Sequence, residues 1–330
     1  MKTPLVSIVT LAYNHEEYIS LAIDSFLMQK TTFSFEIVIH DDASTDQTQN
    51  IIKVYEKKYP ELIKPIYQKE NQKSKGGGIV TRTAFSAAKG KYIALCEGDD
   101  YWTDPLKLQK QVEFLERNAD YSMIHTDANV FNVSIGKTIK DYYKTKSIIH
   151  EFPVSHADIL LHKHRVFTCT VLIRKEIIDK CSKDVGFIYP FGDTRLWVEA
   201  SVHGKIKFLS DTTATRCYLE ESASRSKNSK KLLDFSILGL EAANYIINRY
   251  PLSEKQRKLL FLQAFKTIIK RGFLADERDV VQEYYQKMVL SGWKPGLKQI
   301  IYFFVSKDKT ATKILLGLIK FYRFARYGAK

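Results

Sequence analysis

The spacing of hydrophobic positions changes character about two thirds of the way along this chain. Up to about residue 220, short apolar runs at 6–11, 36–40, 91–96 and 168–173 alternate with stretches at 16–29, 45–58 and 105–117 whose apolar positions recur every three to four residues. The runs have the length and β-branched content of buried strands, and the longer stretches have the period of helices packed on one face. Strands separated by helices predict a layered α/β sheet. After 230 the pattern is helical, over about 231–249, 253–271, 276–290 and 309–327, and no strand is expected there. No repeat of fixed period links the two parts.

Charge divides at the same place. Residues 1–221 hold 29 Lys+Arg and 29 Asp+Glu, whereas residues 222–330 hold 22 and 8, so the whole net charge of +14 belongs to the last third. Together with the polar stretch Glu221-Ser-Ala-Ser-Arg-Ser-Lys-Asn-Ser-Lys230, this predicts two regions, 1–221 and 222–330. With 45% hydrophobic and 27% charged residues over 330 positions, the chain is globular in composition, which excludes fibrous and wholly disordered classes. Apolar stretches fall short of the ~18 residues of a membrane span. The start reads as a strand rather than a signal peptide, so a cytoplasmic protein is expected. Cys96, Cys169, Cys181 and Cys217 are widely spaced and form no CxxC pair. They are expected as reduced, mostly buried thiols. His162 and His164, two apart, would face different sides of a helix and read as surface residues.

Three polar clusters stand at expected strand ends, where open α/β sheets bind ligands. After the first run come Ala12, Tyr13 and Asn14, with Asn14 and Glu17 spaced as a capping box for the next helix. After the second come Asp41 and Asp42, with Ser44 and Gln47 spaced to cap the helix beyond. After the third, Glu97-Gly-Asp-Asp100 sets three acids within four residues, ahead of Asp104-Pro105 as a helix start. Capping explains Ser44 and Asp104. It leaves over Asp41 and Asp42, adjacent carboxylates that repel unless hydrogen-bonded or paired, and Glu97, Asp99 and Asp100, a concentration of negative charge at one strand end that calls for a cation, with all-oxygen ligands favouring Mg²⁺ or Mn²⁺ shared with substrate phosphates.

The Leu-Ala-Tyr-Asn loop, the segment Val38-Ile-His-Asp-Asp-Ala-Ser-Thr-Asp46 and the segment Gly90-Lys-Tyr-Ile-Ala-Leu-Cys-Glu-Gly-Asp-Asp100 together resemble the family 2 glycosyltransferases over roughly residues 4–221. The resemblance implies a GT-A-like, Rossmann-type mixed sheet flanked by helices, here followed by an all-α C-terminal region. It implies a nucleoside-diphosphate sugar donor, a UDP-sugar first, and a role in building cell-surface polysaccharide. By resemblance Thr10, Ala12, Tyr13 and Asn14 form the loop against the nucleotide, Asp42 bonds the base, Arg82 stands near the diphosphate, Asp99 faces the donor sugar and Asp100 is the direct ligand of Mn²⁺ or Mg²⁺. Gly-Asp-Asp replaces the Asp-X-Asp of many relatives, which leaves open whether Glu97 or Asp99 joins Asp100.

Direct displacement with inversion needs a base opposite the leaving group. In Tyr189-Pro-Phe-Gly-Asp-Thr-Arg-Leu-Trp197 the resemblance gives that place to Asp193; a helix cap is the plain structural alternative. Arg216-Cys-Tyr218 stands where relatives have Arg followed two residues on by His. In the last helix, Lys313, Lys320, Arg323 and Arg326 gather on one sector with apolar residues around the rest. That fits peripheral contact with the anionic inner face of a cell membrane, or packing on the helices before it; no nucleic-acid motif accompanies the charge. The acceptor is expected to be a saccharide or lipid-linked saccharide. Two other classes share the features: a nucleotidyltransferase, and a non-catalytic nucleotide-sugar-binding protein.

Overall fold

The computed structural model describes residues 3–73, 78–148, 152–182, 192–219 and 226–327, with backbone only from 320 onward. The chain forms two compact units, one up to Leu219 and one from Glu220. The boundary expected at 221/222 lies outside the described residues.

The first unit is built on strands β1 (Val6–Ala12), β2 (Phe35–Asp41), β3 (Ile63–Tyr67), β4 (Tyr92–Leu95), β5 (Tyr101–Trp102), β6 (Tyr121–Asn132), β7 (Lys137–Ile139), β8 (Leu172–Arg174) and β9 (Lys205–Tyr218). They make a single mixed sheet in the order β3-β2-β1-β4-β8-β6-β9-β5, with β7 beside β6. The first four strands are mutually parallel, and β8 enters antiparallel between β4 and β6. Buried Val6, Ile8, Ile37, Ile39, Tyr92 and Ala94 join α1 (Ile19–Leu27), α2 (Thr48–Lys58) and α4 (Lys107–Arg117) in one apolar core, and the short helices α5 (Tyr142–Thr145), α6 (His156–Leu160) and α7 (Lys175–Ser182) lie in the later connections. Register at the centre is pinned by polar groups. The Ser7 hydroxyl donates to Glu36 at 2.6 Å and accepts from the Gly90 amide at 2.8 Å, and the Lys89 amide donates to the same carboxylate. Residue 90 must be glycine, since a Cβ there would lie 2.5 Å from the Ser7 nitrogen.

The longest strands, β6 and β9, were not expected. They pair in parallel through a bulge at Asp127. Their buried positions include Ser122, His125, Thr126, Asp127, Thr213 and Thr215, which hide the apolar alternation that marks a strand. These polar groups are paired: the Thr126 and Thr213 hydroxyls lie 2.7 Å apart, and the Asp127 carboxylate accepts from the Ala128, Tyr143 and Lys144 amides. His164 is likewise buried rather than on the surface, its Nε2 2.9 Å from that of His125, while His162 is exposed. Cys96, Cys169 and Cys217 are buried free thiols, and Cys181 is partly exposed.

Helix starts differ from the sequence expectation. α1 begins at Ile19, α2 at Thr48 and α4 at Lys107, and none has a side-chain cap from Asn14, Ser44 or Asp104. Asn14 and Ser44 instead tie loops together at the sheet edge, and Asp104 accepts from the Leu106 amide at 2.8 Å in the turn just before α4.

The second unit comprises α9 (Ser229–Arg249), α10 (Glu254–Leu274), α11 (Arg278–Leu290), α12 (Leu297–Ser306) and α13 (Lys309–Tyr327). Asn228 caps α9, and a Ser253–Gln256 capping box opens α10. Leu233, Phe265, Ile269, Phe273, Val281 and Met288 form its core. α12 was not expected: Ile300-Ile-Tyr-Phe-Phe-Val305 is an unbroken apolar run of β-prone residues with no helical period. Among the described residues no helix is long and apolar enough to cross a membrane.

Candidate active site

The carboxyl ends of β1 and β2 carry two loops that are laced to each other. Asn14 takes the left-handed conformation (φ 55°), which Asn tolerates better than most residues. Its amide donates to the Ser44 hydroxyl at 2.9 Å, and its side-chain oxygen accepts from the Thr45 amide at 2.8 Å. The Glu16 amide donates to Asp46 and the Gln47 amide to Glu16. The adjacent carboxylates of β2 are separated by their partners. Asp41 accepts from the Ser44 amide and from Gln49, while Asp42 accepts from the Gln72 and Lys73 amides at 2.8 and 2.9 Å. Asp42 thus fixes the loop at 72–73 against the tip of β2.

Beyond β4 the chain turns sharply, the Gly98 amide donating to the Leu11 carbonyl and the Asp100 amide to that of Glu97. A Cβ at Gly98 would lie 2.8 Å from His15 Nδ1, so this turn packs onto the β1 loop only with glycine there. The three acids part company at the turn. Asp100 is buried, accepts from the Cys217 amide of β9 at 2.7 Å, and is not among the cavity-lining residues. One oxygen of its carboxylate thereby holds β9 in place. Glu97 and Asp99 face the cavity.

Two cavities adjoin here, of about 310 and 200 Å³, and they share Leu11, Thr81 and Glu97. Ala12, Tyr13, His15, Asp42, Lys73 and Asp99 line the larger one. Asp193, in the first turn of α8 (Gly192–His203), lines the smaller, with Phe85, Leu95, Thr168 and Leu196 among its other walls. The structure therefore brings Ala12, Tyr13, Asp42 and Asp99 to one cavity and Asp193 to the cavity that adjoins it. Thr10 is buried within the sheet, Asn14 sits in the loop lacing, and Arg82 is half-buried on α3 (Ile79–Ala87); none of the three is a lining residue. His15 and Lys73 were missed. The signal for His15 was its place directly after a β1 loop already singled out; nothing local marks Lys73, which only the Asp42 contact brings in.

The cleft is electrostatically unbalanced. Burial, reinforced by Asp99, pushes the Glu97 carboxyl up to about 7, and burial with Glu97 and Asp99 drives Asp100 well above its ordinary value. Desolvation by the surrounding walls also raises Asp193, although the residue keeps an exposed face, against the Thr194 amide, which donates to it at 2.6 Å, and against Arg216. Arg216 on β9, its guanidinium 5.3 Å from the Phe167 ring centre, opposes the rise at Glu97 and Asp100 as well. His15 is lowered by burial although Asp99 pulls it up. Among the described residues no three His, Cys, Asp or Glu side chains converge on one point. Glu97 and Asp99 offer two hard-oxygen ligands, the donor set of a Mg²⁺ or Mn²⁺ ion that completes its shell with water and substrate phosphates.

The model of glycosyl transferase family 2 matches residues 7–181. An uncharacterised protein of Mycobacterium tuberculosis is 38% identical over 216 residues, covering 63% of this chain. The chain spans only 57% of the length of that relative. An Escherichia coli protein named UDP-Glc:alpha-D-GlcNAc-diphosphoundecaprenol beta-1,3-glucosyltransferase WfaP is 29% identical over 276 residues, 82% of this chain and 96% of its own. Among solved structures, S. aureus TarS in complex with UDP-GlcNAc aligns with a TM-score of 0.53 at 16% identity, over 93% of this chain and 92% of that one. The mannosyltransferase PcManGT from Pyrobaculum calidifontis, in complex with GDP-Man and Mn²⁺, aligns with a TM-score of 0.53 at 12% identity, over 96% and 88%. At these identities the structures speak for the fold, a GT-A-like sheet.

Proposed function

The chain belongs to glycosyl transferase family 2, and from that premise we propose that it is an inverting, metal-dependent glycosyltransferase that moves a sugar from a nucleoside diphosphate to a saccharide or lipid-linked saccharide acceptor. One observation carries the reading: Glu97 is common to both cavities, with Asp42 and Asp99 on one side and Asp193 on the other. The larger cavity takes the nucleotide, Tyr13 and Asp42 beside the base and Lys73 near the phosphates. The smaller takes the reacting sugar. Asp193 receives the proton of the acceptor hydroxyl as its oxygen bonds to the anomeric carbon and the carbon–oxygen bond to the diphosphate breaks. A carboxyl raised above its ordinary range is closer to the working pH of a general base. Asp100, with Glu97 or Asp99 beside it, would hold the divalent ion, which when bound would supply positive charge to the departing diphosphate.

The names of the relatives favour a UDP-sugar donor and an acceptor of the polyprenyl-diphosphate saccharide type, for cell-surface polysaccharide. The basic second unit suits work at an anionic membrane surface. A screen of nucleotide-sugars with Mn²⁺ or Mg²⁺ tests the reaction. Donor hydrolysis or transfer that chelator abolishes, that Asp99→Asn weakens and that Asp193→Asn removes while nucleotide binding persists is the expected result. Full activity in Asp193→Asn would reject the assignment.

A further inference from the structure

Among the described residues of the second unit, α12, the helix that the sequence pattern did not reveal, carries three exposed large apolar side chains. At 100° per residue Leu297, Ile301 and Phe304 fall within a sector of roughly 60°. They are 74%, 40% and 60% exposed, while Tyr302 and Val305, farther round the helix, pack into the core. Ile314 and Leu318, one turn apart on α13, are also exposed, although Leu315, Leu316 and Ile319 of the same helix pack inward. Packing a bundle does not require leaving a leucine, an isoleucine and a phenylalanine of one ten-residue helix in water, so this ridge has some other use.

Charge identifies the partner. Residues 284–330 contain ten Lys+Arg and one acid, Asp308. Asp308 is occupied at the start of α13, accepting from the Ala311 amide at 2.7 Å. Exposed Lys294, Lys298 and Lys307 flank the ridge, with the Lys307 ammonium 5.2 Å from the Phe304 ring centre. Apolar side chains bordered by lysines match an anionic bilayer, whose acyl region takes the ridge and whose headgroups take the ammoniums. A second copy of the chain would bring the same lysines face to face. A nucleic acid would gain nothing from burying leucine and phenylalanine.

We propose that α12 is a membrane-insertion element, its Leu297–Ile301–Phe304 ridge sinking into the interface of an anionic bilayer. The inference rests on the membrane-surface reading of the second unit and names the helix that acts. The test uses the full chain with vesicles of phosphatidylcholine alone or mixed with phosphatidylglycerol. Wild type should sediment with the mixed vesicles. The combined Leu297→Ser, Ile301→Ser, Phe304→Ser variant keeps the net charge and should lose at least about tenfold in vesicle partition. Its rate of soluble-donor hydrolysis should match wild type, showing that it is folded. Lys298→Gln with Lys307→Gln should weaken sedimentation only at low salt. If wild type sediments and the serine variant sediments equally, the ridge assignment is overturned while the membrane reading stands. If wild type ignores anionic vesicles, both fall. A ridge-dependent dimer without vesicle binding overturns the proposal in favour of self-association.

Discussion

The two units bury different chemistry. Of the polar and charged residues that are buried among the described positions, all but Ser306 and Thr312 belong to the first unit. Its sheet interior holds a Ser7–Glu36–Gly90 junction, the Asp127 carboxylate with its three amides, and Lys107, whose ammonium donates to Gln111 at 2.8 Å beneath the Trp102 ring. The second unit is held by aliphatic and aromatic contacts such as the stacked Phe273–Tyr302 pair at 4.6 Å. Helices satisfy their own backbones, so a bundle needs only an apolar seam. A sheet whose loops must converge at one edge has amides to satisfy there, and buried side chains do it. Polar burial is directional and tolerates little substitution, which is what a site needs; apolar burial is forgiving and leaves the outer surface of the bundle available for another task.

Substitutions can break or sharpen this contrast. The largest effect is expected at Asp193: the asparagine variant should lose about 10²–10⁴ in turnover with the fold unchanged, and a thermal melt alongside the assay checks both. Next is Asp127→Ala, which strands buried amides of Ala128 and Tyr143 and should cost about 3 kcal/mol of unfolding free energy in denaturant titration. Glu97 comes third and depends on pH. Its carboxyl keeps its proton up to about 7 in the folded chain and releases it near 4.5 when unfolded. The folded state therefore binds more protons across that window, so stability falls as pH rises through it and the penalty is complete above about 7. In metal-free protein Glu97→Gln should stabilise by roughly 1–3 kcal/mol at pH 8 and by nothing at pH 4. Equal effects at the two pH values would show that the residue is not desolvated. The smallest is Ile269→Val in the helical core, expected at about 1 kcal/mol with no change in turnover. Were it to cost as much as Asp127→Ala, the contrast between the units would be lost.

Much of the first unit was legible because β1, β2 and β4 are short apolar runs that lead into polar loops, acidic after β2 and β4, the pattern of buried parallel strands. β6 and β9 were illegible because their buried threonines, Asp127 and His125 are satisfied by residues far away in sequence. In the second unit α10 and α11 showed their period, whereas the unbroken apolar run of α12 showed none. The site was half visible. Ala12, Tyr13, Asp42 and Asp99 could be placed at strand ends from the sequence, but Asp99 and Asp100 are neighbours of the same chemistry. Only the turn at Gly98 and the approach of the Cys217 amide send one to the cleft and the other into the interior.

Composition and period by themselves determined the division into a charge-balanced α/β part and a cationic helical part, and the strand tips at which acids collect. Those properties are local, set by which side chains alternate and how many charges a segment holds. Which carboxylate faces the cleft, which loop Asp42 grips and which helix leaves its apolar ridge in water were decided by tertiary structure. Each depends on a partner amide or core contact brought in from elsewhere in the chain, and no residue's own neighbours specify it.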